Sequence, residues 1–266
     1  MSNASGPASD HAARPLVLAH RGDWLEAETP WPQNSVGAVL SALAAGADGA
    51  EVDARLNAQG TVVLHHDPEI GPADLQAGCL APLGTPICDL ADADLGHLST
   101  LPELLARLAS GTSTVLGGHT GAVLLNIEMK DLPGEPGWDA VLPLARTVAD
   151  LLGRHLASNR VDVLVSSFDV AAIAWFARNG PGTASALLVD EGDDWRQMLG
   201  QVPGIGALNP AEGLARPDLF AAAAQEDLAV FPWTVDSPAR AIELAGHGAT
   251  GLITNRPRAL LAALRA

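Results

Sequence analysis

The chain has 266 residues, 48% of them hydrophobic, and a formal net charge of −16 at pH 7. This length fits one large α/β domain or two small ones, and no apolar run is long enough to span a bilayer. The acidic balance argues against nucleic-acid binding, which requires basic surfaces that meet phosphates. Residues 1–14 are small and mostly polar and lack a signal-peptide pattern, so we predict a flexible N-terminal arm and a cytoplasmic protein.

Strand and helix patterns alternate along the rest of the chain, with one hairpin after the second strand. Apolar runs of strand length are followed by stretches in which apolar residues recur at three-to-four spacing, as in a helix. Such alternation implies parallel strands with helical crossovers. The predicted strands cover 16–20, 49–56 with its hairpin partner 61–66, 122–130, 162–168, 184–190, 204–210, 229–236 and 250–255, and the predicted helices cover 33–46, 102–110, 139–156, 170–180, 193–201, 216–227, 237–248 and 256–265.

Eight strand–helix units predict a closed barrel. Eight units in about 250 residues is the size of a TIM-type (β/α)8 barrel, and we assign residues 15–266 to a single domain of this kind. The alternative is an open doubly wound sheet, but no GxGxxG follows the first strand, so a dinucleotide-binding fold has no support. Residues 68–100 are rich in Pro, Gly and Asp and show little periodicity, which predicts a short loop-like insertion.

Both cysteines, Cys79 and Cys88, lie in this insertion. They lack Cys-x-x-Cys spacing and a neighbouring His cluster, which argues against a zinc site. A local disulfide remains open on sequence grounds, although a cytosolic protein would keep both thiols reduced.

Three carboxylates are expected at one end of the barrel. Glu51 and Asp53 lie two residues apart on a predicted strand and therefore share a face. Two acids on one face of a buried strand repel each other unless a cation or a shared proton holds them. Glu128 ends another strand, and a barrel gathers its strand ends at one mouth. The three acids predict an oxygen-rich site for one divalent cation, Mg²⁺ or Ca²⁺.

Lys130 is the only lysine among 15 basic residues, the other 14 being arginines. A single lysine in a chain that otherwise uses arginine suggests a position that needs a compact ammonium on a flexible stem. Lys130 shares a strand face with Glu128, and Arg21 follows the first strand. We predict that Arg21 and Lys130 bind an anionic oxygen at the mouth.

Two histidines are candidates for proton transfer at the same mouth. His20 ends the first strand and His66 ends the hairpin, and imidazoles serve as general base and general acid near neutral pH. The neighbouring His65 is expected to face the other way. Trp233, on a later strand, is predicted to form an apolar wall for substrate. A cation site, two positive side chains and two imidazoles together indicate cleavage of a phosphoryl ester.

The chain resembles the glycerophosphodiester phosphodiesterase family in the order and spacing of its motifs over roughly residues 16–258. Any one motif is weak evidence, whereas the whole series in this order is specific. The motifs are His20-Arg21-Gly22, Gln33-Asn34-Ser35, Gly46-Ala47-Asp48 leading to Glu51-x-Asp53, His66-Asp67, Glu128-x-Lys130, Ser167-Phe168, Trp233-Thr234-Val235-Asp236 and Gly251-Leu252-Ile253-Thr254-Asn255-x-Pro257.

The resemblance implies a TIM-type barrel enzyme of lipid and glycerol metabolism. It implies a divalent cation held by the positions of Glu51, Asp53 and Glu128, a catalytic pair at His20 and His66, and phosphate binding by Arg21 and Lys130. The implied substrate is a small glycerophosphodiester such as glycerophosphocholine, which is cut to an alcohol and glycerol 3-phosphate. Attack by a neighbouring glycerol hydroxyl, giving a cyclic phosphate, and direct attack by water both remain open.

The sequence departs from the family pattern at two positions and in one length. Gln33 stands where the family usually has Glu, and Asn255 stands where it often has Asp. The insertion after His66 is shorter than in many members, which would leave the mouth open to a bulkier lysophospholipid-type diester. A barrel that binds phosphodiesters without cutting them is the other alternative, and the presence of both histidines and all three acids speaks against it.

Overall fold

The computed structural model describes residues 14–26, 31–110, 122–155 and 161–265. All of the predicted arm except Arg14 lies outside the described residues, and the Arg14 guanidinium pairs with the Asp48 carboxylate, Nη1 to Oδ2 2.6 Å. Among the described residues, no helix has the length and apolar character needed to cross a membrane.

One sheet contains the strands of the described residues, and all but one of them run parallel. Its strands are β1 Leu16–His20, β2 Gly49–Leu56, β3 Val62–Leu64, β4 Val123–Met129, β5 Val161–Ser167, β6 Ala184–Val189, β7 Ala207–Pro210, β8 Ala229–Val230 and β9 Gly251–Thr254. Neighbours follow the order β8-β7-β6-β5-β4-β2-β1-β9, and β3 pairs antiparallel with β2 as a hairpin.

Backbone hydrogen bonds between the two ends of this order nearly close the barrel. The Thr250 N–H donates to the Val230 carbonyl at 2.9 Å, and the Ile253 N–H donates to the Pro232 carbonyl at 3.0 Å. The predicted (β/α)8 barrel is therefore confirmed. The strand predicted at 229–236 was too long, since β8 ends at Val230, two residues before Pro232, which has no N–H to donate to a strand ladder.

Helices cover the outside of the barrel and start where the sequence provides suitable residues. Ser35 and Ser237 accept backbone N–H groups at helix starts, and a proline occupies the first turn of the last three helices. The helices are α1 Val36–Ala44, α2 Pro72–Gln76, α3 Leu101–Ser110, α4 Pro143–His155, α5 Val170–Asn179, α6 Trp195–Leu199, α7 Pro217–Gln225, α8 Pro238–His247 and α9 Pro257–Leu264.

The inward faces of the strands change from apolar to polar toward their carboxyl ends. Leu18, Leu164 and Ile253 belong to an apolar cluster inside the barrel. Two residues after Leu18, the next inward residue of β1 is His20, which lies beside Glu51 of β2 in the parallel register. The alternation of side chains along a strand thus places the ionisable groups above an apolar floor.

The insertion after β3 is more ordered than its sequence indicates. It contains α2 and two short 3₁₀ turns, Ile87–Asp89 and Asp92–Asp94. It also has a small core of its own, in which Val63 and Ile70 are buried with Leu90. The apolar residues of this core are spaced irregularly along the chain, so they show neither the helical nor the strand period that predicts ordered structure.

Candidate active site

Three buried acids converge at the mouth of the barrel. Glu51 and Asp53 lie on β2, and the register places Asp53 beside Glu128 of β4. One carboxylate oxygen from each acid lies within 4.8 Å of the others. All three side chains are buried, so their mutual repulsion is poorly screened by water.

Arg21 and Lys130 lie directly against these acids. The Arg21 Nε is 3.1 Å from Asp53 Oδ2, and the Lys130 Nζ is 3.4 Å from Asp53 Oδ1 and 2.5 Å from Glu128 Oε1. Burial alone would raise the pKa of Asp53, but the Lys130 and Arg21 charges outweigh it and hold that pKa below its usual value. Burial would likewise lower the pKa of Lys130, but Glu128 and Asp53 raise it.

The other two acids are less well compensated than Asp53, and their pKa values are raised. Burial and the adjacent Asp53 carboxylate raise the pKa of Glu51 well above its usual value. Burial also raises the pKa of Glu128, to about 7, although Lys130 opposes the shift. Glu51 Oε1 is buried and has no hydrogen-bond partner among the described residues. An oxygen-rich, electron-rich pocket with an orphaned carboxylate oxygen fits a hard divalent cation.

His20 is held in one tautomer by Asn255. The Asn255 side-chain N–H donates to Asp236 Oδ2 at 2.9 Å, which leaves its oxygen to face His20 Nδ1 at 2.7 Å. Because that oxygen can only accept, His20 Nδ1 carries the proton, and the unprotonated Nε2 lies 3.8 Å from Glu51 Oε2. Burial lowers the pKa of His20 to about 4, so the ring is neutral at neutral pH.

His66 lies on the more exposed side of the mouth. Its Nδ1 is 2.7 Å from Asp67 Oδ1, and a carboxylate there favours a proton on Nδ1 and leaves Nε2 free. Partial burial lowers the pKa of His66, and the Asp53 charge opposes that shift. His65 faces the insertion, with its Nε2 3.0 Å from Asp74 Oδ2. Although burial opposes it, the hydrogen bond to Asp74 raises the pKa of His65.

Trp233 forms an aromatic corner beside Lys130. Its ring meets that of Phe168 edge to face with centroids 5.6 Å apart, and its indole N–H donates to the Asn209 carbonyl at 2.9 Å. The Lys130 Nζ lies 5.8 Å from the centre of the Phe168 ring. The structure thus places an apolar surface next to the cationic side of the mouth.

Arg55 is a residue whose role at this site the sequence analysis missed. Its guanidinium donates to the His66 carbonyl at 2.9 and 2.7 Å, to the Lys130 carbonyl at 2.6 Å and to Glu135 Oε2 at 2.9 Å. It therefore ties the end of the hairpin to the end of β4. A sequence signal was present, because Arg55 lies at the same two-residue spacing on β2 as Glu51 and Asp53.

Asn34 is a second such residue, and in the sequence it stands out only as part of the Gln33-Asn34-Ser35 motif. Its side-chain N–H donates to Asp53 Oδ2 at 2.7 Å, and its side-chain oxygen accepts the Asp53 backbone N–H at 2.9 Å. The adjacent Gln33 accepts from Arg21 Nη1 at 3.0 Å. An uncharged Gln33 side chain therefore still orients the Arg21 guanidinium.

Comparison with known proteins gives one consistent family. The model of the Glycerophosphoryl diester phosphodiesterase family matches residues 20–259. A curated relative, the glycerophosphodiester phosphodiesterase of Caldanaerobacter subterraneus subsp. tengcongensis, is 25% identical over 261 residues, which is 94% of this chain and 98% of the relative.

Solved structures show the same fold. A glycerophosphodiester phosphodiesterase from Thermotoga maritima superposes with a TM-score of 0.71 at 21% identity, covering 95% of this chain and 99% of that one. A phosphodiesterase from Oleispira antarctica, solved in complex with the product sn-glycerol-3-phosphate, gives a TM-score of 0.73 at 19% identity, covering 95% and 98%. At these identities, the likeness to the two structures establishes the barrel fold.

Proposed function

The chain belongs to the glycerophosphoryl diester phosphodiesterase family and is an enzyme of that class, and on this premise we propose that it hydrolyses glycerophosphodiesters to an alcohol and glycerol 3-phosphate with one divalent cation. The observation that carries the proposal is the buried acid trio with two positive side chains and two histidines at one mouth. The product bound in the Oleispira antarctica structure supports the choice of substrate class. We also propose that residues 15–266 act as one domain, and the cytoplasmic location stays a prediction.

We assign Glu51, Asp53 and Glu128 as the residues that would hold the cation. Carboxylate oxygens are the ligands that Mg²⁺ and Ca²⁺ prefer. Such a cation, when bound, supplies positive charge that stabilises the negative charge developing on the phosphoryl oxygens. Coordination number and cavity size determine which of the two ions binds more tightly. Titrating the protein with Mg²⁺ and with Ca²⁺ measures this preference directly.

Arg21 and Lys130 are proposed to bind the phosphate. Lys130 is buried and fully charged, since its neighbouring acids raise its pKa. Arg21 is oriented by Asp53 and Gln33, so the guanidinium loses little freedom when it binds an oxygen. Phosphate binding at these two side chains would place the ester next to the aromatic surface of Trp233.

His20 and His66 are proposed to move the protons. The neutral His20 ring, with its unprotonated Nε2 directed into the site, accepts the proton of the attacking hydroxyl. His66, on the outer side of the mouth, acts in its imidazolium form: the Nε2 proton passes to the oxygen of the leaving alcohol, and the Nδ1 proton stays on the Asp67 side. The attacking hydroxyl belongs either to water or to the neighbouring glycerol carbon. In the second route a cyclic phosphate forms and a water molecule then opens it to glycerol 3-phosphate, and both routes need a base at the attacking oxygen.

Hydrolysis of glycerophosphocholine, with glycerol 3-phosphate measured as the product, tests this proposal. Turnover is expected with Mg²⁺ or Ca²⁺, is expected to stop on chelation and should return when the metal is restored. Turnover that survives complete chelation would rule out the cation. A folded protein that binds the diester but never releases glycerol 3-phosphate would instead be the non-catalytic barrel.

A bulkier, lysophospholipid-type substrate is a second candidate, because the insertion exposes apolar side chains. Leu80 and Leu83 are 70% and 60% exposed, and Leu75 on α2 is 41% exposed. These side chains could contact an acyl chain that a small diester lacks. Comparing hydrolysis of lysophosphatidylcholine and glycerophosphocholine separates the two candidates, and activity confined to the small diester would exclude this one.

A further inference from the structure

A cavity lies beside the mouth, between residues 31–35 and the insertion. It has a volume of about 550 Å³, which is in the range of small-molecule sites. None of the three acids lines it within the described part of the chain, whereas His66 and Gln33 do. The cavity therefore shares a wall with the proposed active site. Its lining includes Trp24, Trp31, Gln33, His66, Ala73 and Asp74.

Trp31, which lines this cavity, also packs against a glycine of α1. A Cβ atom at Gly37 would come 2.2 Å from Cε3 of the Trp31 ring, so only glycine allows the ring to lie on α1. A glycine inside a helix costs about 1 kcal/mol relative to alanine. Trp31 nevertheless remains 42% exposed. A large aromatic surface is thus held in a fixed position while part of it stays available for contact.

The insertion that borders the cavity is acidic. Residues 67–100 contain six Asp and Glu residues and no Lys or Arg. The positive groups nearby are already paired, since Arg21 lies against Asp53 and His65 lies against Asp74. Asp74 is the one acid among the described lining residues, and Asp67 adjoins His66 of that lining, so the nearby carboxylates favour a cation in the cavity over an anion.

The position of His66 connects the cavity with the reaction. If His66 protonates the leaving alcohol, the group attached to that oxygen extends toward the wall that His66 shares with the cavity. Aromatic faces in an acidic surrounding bind ammonium groups through cation–π attraction. Resting on the proposed function, we propose that the cavity binds the alcohol moiety of the substrate and selects cationic ammonium alcohols over neutral or anionic ones.

The proposed selection of the alcohol is tested by measuring kcat/KM with four esters that differ only in their alcohol. The substrates are glycerophosphocholine, glycerophosphoethanolamine, glycerophosphoglycerol and glycerophosphoserine. We expect kcat/KM for the choline and ethanolamine esters to exceed that for the glycerol ester by about tenfold. The serine ester, whose carboxylate would meet the acidic surroundings, should be the poorest of the four.

Variants of two tryptophans locate the selection. Trp31→Leu should lower the ratio of kcat/KM for the choline ester to kcat/KM for the glycerol ester toward one. Trp175→Leu is the matched control, because Trp175 lies on α5 against Arg146 and should leave the ratio unchanged. Because each ratio is measured within one protein preparation, partial loss of folded protein does not affect it.

The outcomes separate this inference from the proposed function. Equal kcat/KM for all four esters, or an unchanged ratio in Trp31→Leu, would overturn the selective cavity and leave the hydrolase intact. Absence of cleavage with every ester would overturn the proposed function. In that case, quenching of tryptophan fluorescence by choline chloride still tests binding in the cavity. We expect quenching in the parent and its loss in Trp31→Leu. Absence of quenching in the parent would overturn the proposed binding of ammonium groups as well.

Discussion

Replacing Arg55 by methionine should lower both stability and turnover. The side chain is almost fully buried and donates four hydrogen bonds, which reach the His66 carbonyl, the Lys130 carbonyl and Glu135. Methionine fills a similar volume but donates none of these bonds. The Arg55→Met protein therefore keeps two carbonyls and a carboxylate whose donor is gone.

The magnitude follows from the burial of these partners. Hydrogen bonds to a charged group contribute about 1.5–3 kcal/mol each, and they are not additive within one network. Breaking a buried charge pair by removing one partner costs about 3–5 kcal/mol. We expect Arg55→Met to lose about 4 kcal/mol of unfolding free energy. A shift of about 1 Å in His66 or Lys130 would lower kcat by about 10²-fold.

Arg240→Met is the matched control for stability. The Arg240 guanidinium also braces a loop, donating to the Glu212 carbonyl at 3.0 Å and the Ala215 carbonyl at 2.9 Å and pairing with Glu243 at 2.8 Å. No group of the proposed active site takes part. Arg240→Met should lose about 2 kcal/mol of stability and keep the parental kcat.

Urea unfolding and steady-state kinetics at a temperature where all variants are folded provide the two measurements. Arg55→Lys should recover part of the lost turnover, because an ammonium can still donate to one or two of the carbonyls. A folded Arg55→Met enzyme with the parental kcat and kcat/KM would refute the idea that Arg55 positions His66 and Lys130. A fall in kcat that Arg240→Met reproduces would assign the effect to stability alone.

Three further predictions concern single side chains. His20→Ala and His66→Ala should each lower kcat by about 10²-fold or more while the unfolding transition is retained, and full activity of either variant would remove that histidine from the mechanism. Lys130→Met should raise KM through the lost phosphate charge, and parental kinetics would mean that the unique lysine has no role in binding. Burial and the neighbouring Asp169 raise the pKa of Asp131 to about 6; because this folded pKa lies above the unfolded one, the charged carboxylate destabilises the fold as pH rises through 6. Asp131→Asn should therefore be more stable than the parent at pH 8, by about 1 kcal/mol after allowance for solvent screening, and equally stable near pH 4. Equal stability of parent and variant at both pH values would contradict the raised pKa of Asp131.

The barrel could be predicted because its signals are local. Alternation of strand and helix patterns needs only neighbouring residues, and the ends of parallel strands must meet at one mouth whatever the exact packing. That is why Glu51 and Glu128, far apart in the chain, could be placed together. The early end of β8 also has a local cause, in Pro232, but its effect on the ladder was not anticipated.

Contacts that depend on long-range geometry could not be predicted. The sequence shows Arg55 on the right strand face, but only the folded chain shows that the His66 and Lys130 carbonyls approach the same guanidinium. The same holds for Asn255, whose orientation is fixed by Asp236. Such partners come from different loops, and their approach depends on loop conformations that no periodic pattern encodes.

The formal charges at the mouth link metal binding to substrate binding. When all three carboxylates, Glu51, Asp53 and Glu128, are ionised, they exceed the two positive side chains, Arg21 and Lys130, by one negative charge. Without a cation, the raised pKa values of Glu51 and Glu128 relieve that excess through a retained proton. A phosphodiester is itself an anion, and a site with that excess would repel it. A divalent cation on the acids would reverse the sign of the site, and one diester anion would then complete the neutralisation. Substrate affinity should therefore depend on metal concentration even in a His66→Ala protein that cannot hydrolyse the diester. If that variant bound the diester with the same affinity in excess chelator, Arg21 and Lys130 would be sufficient for binding.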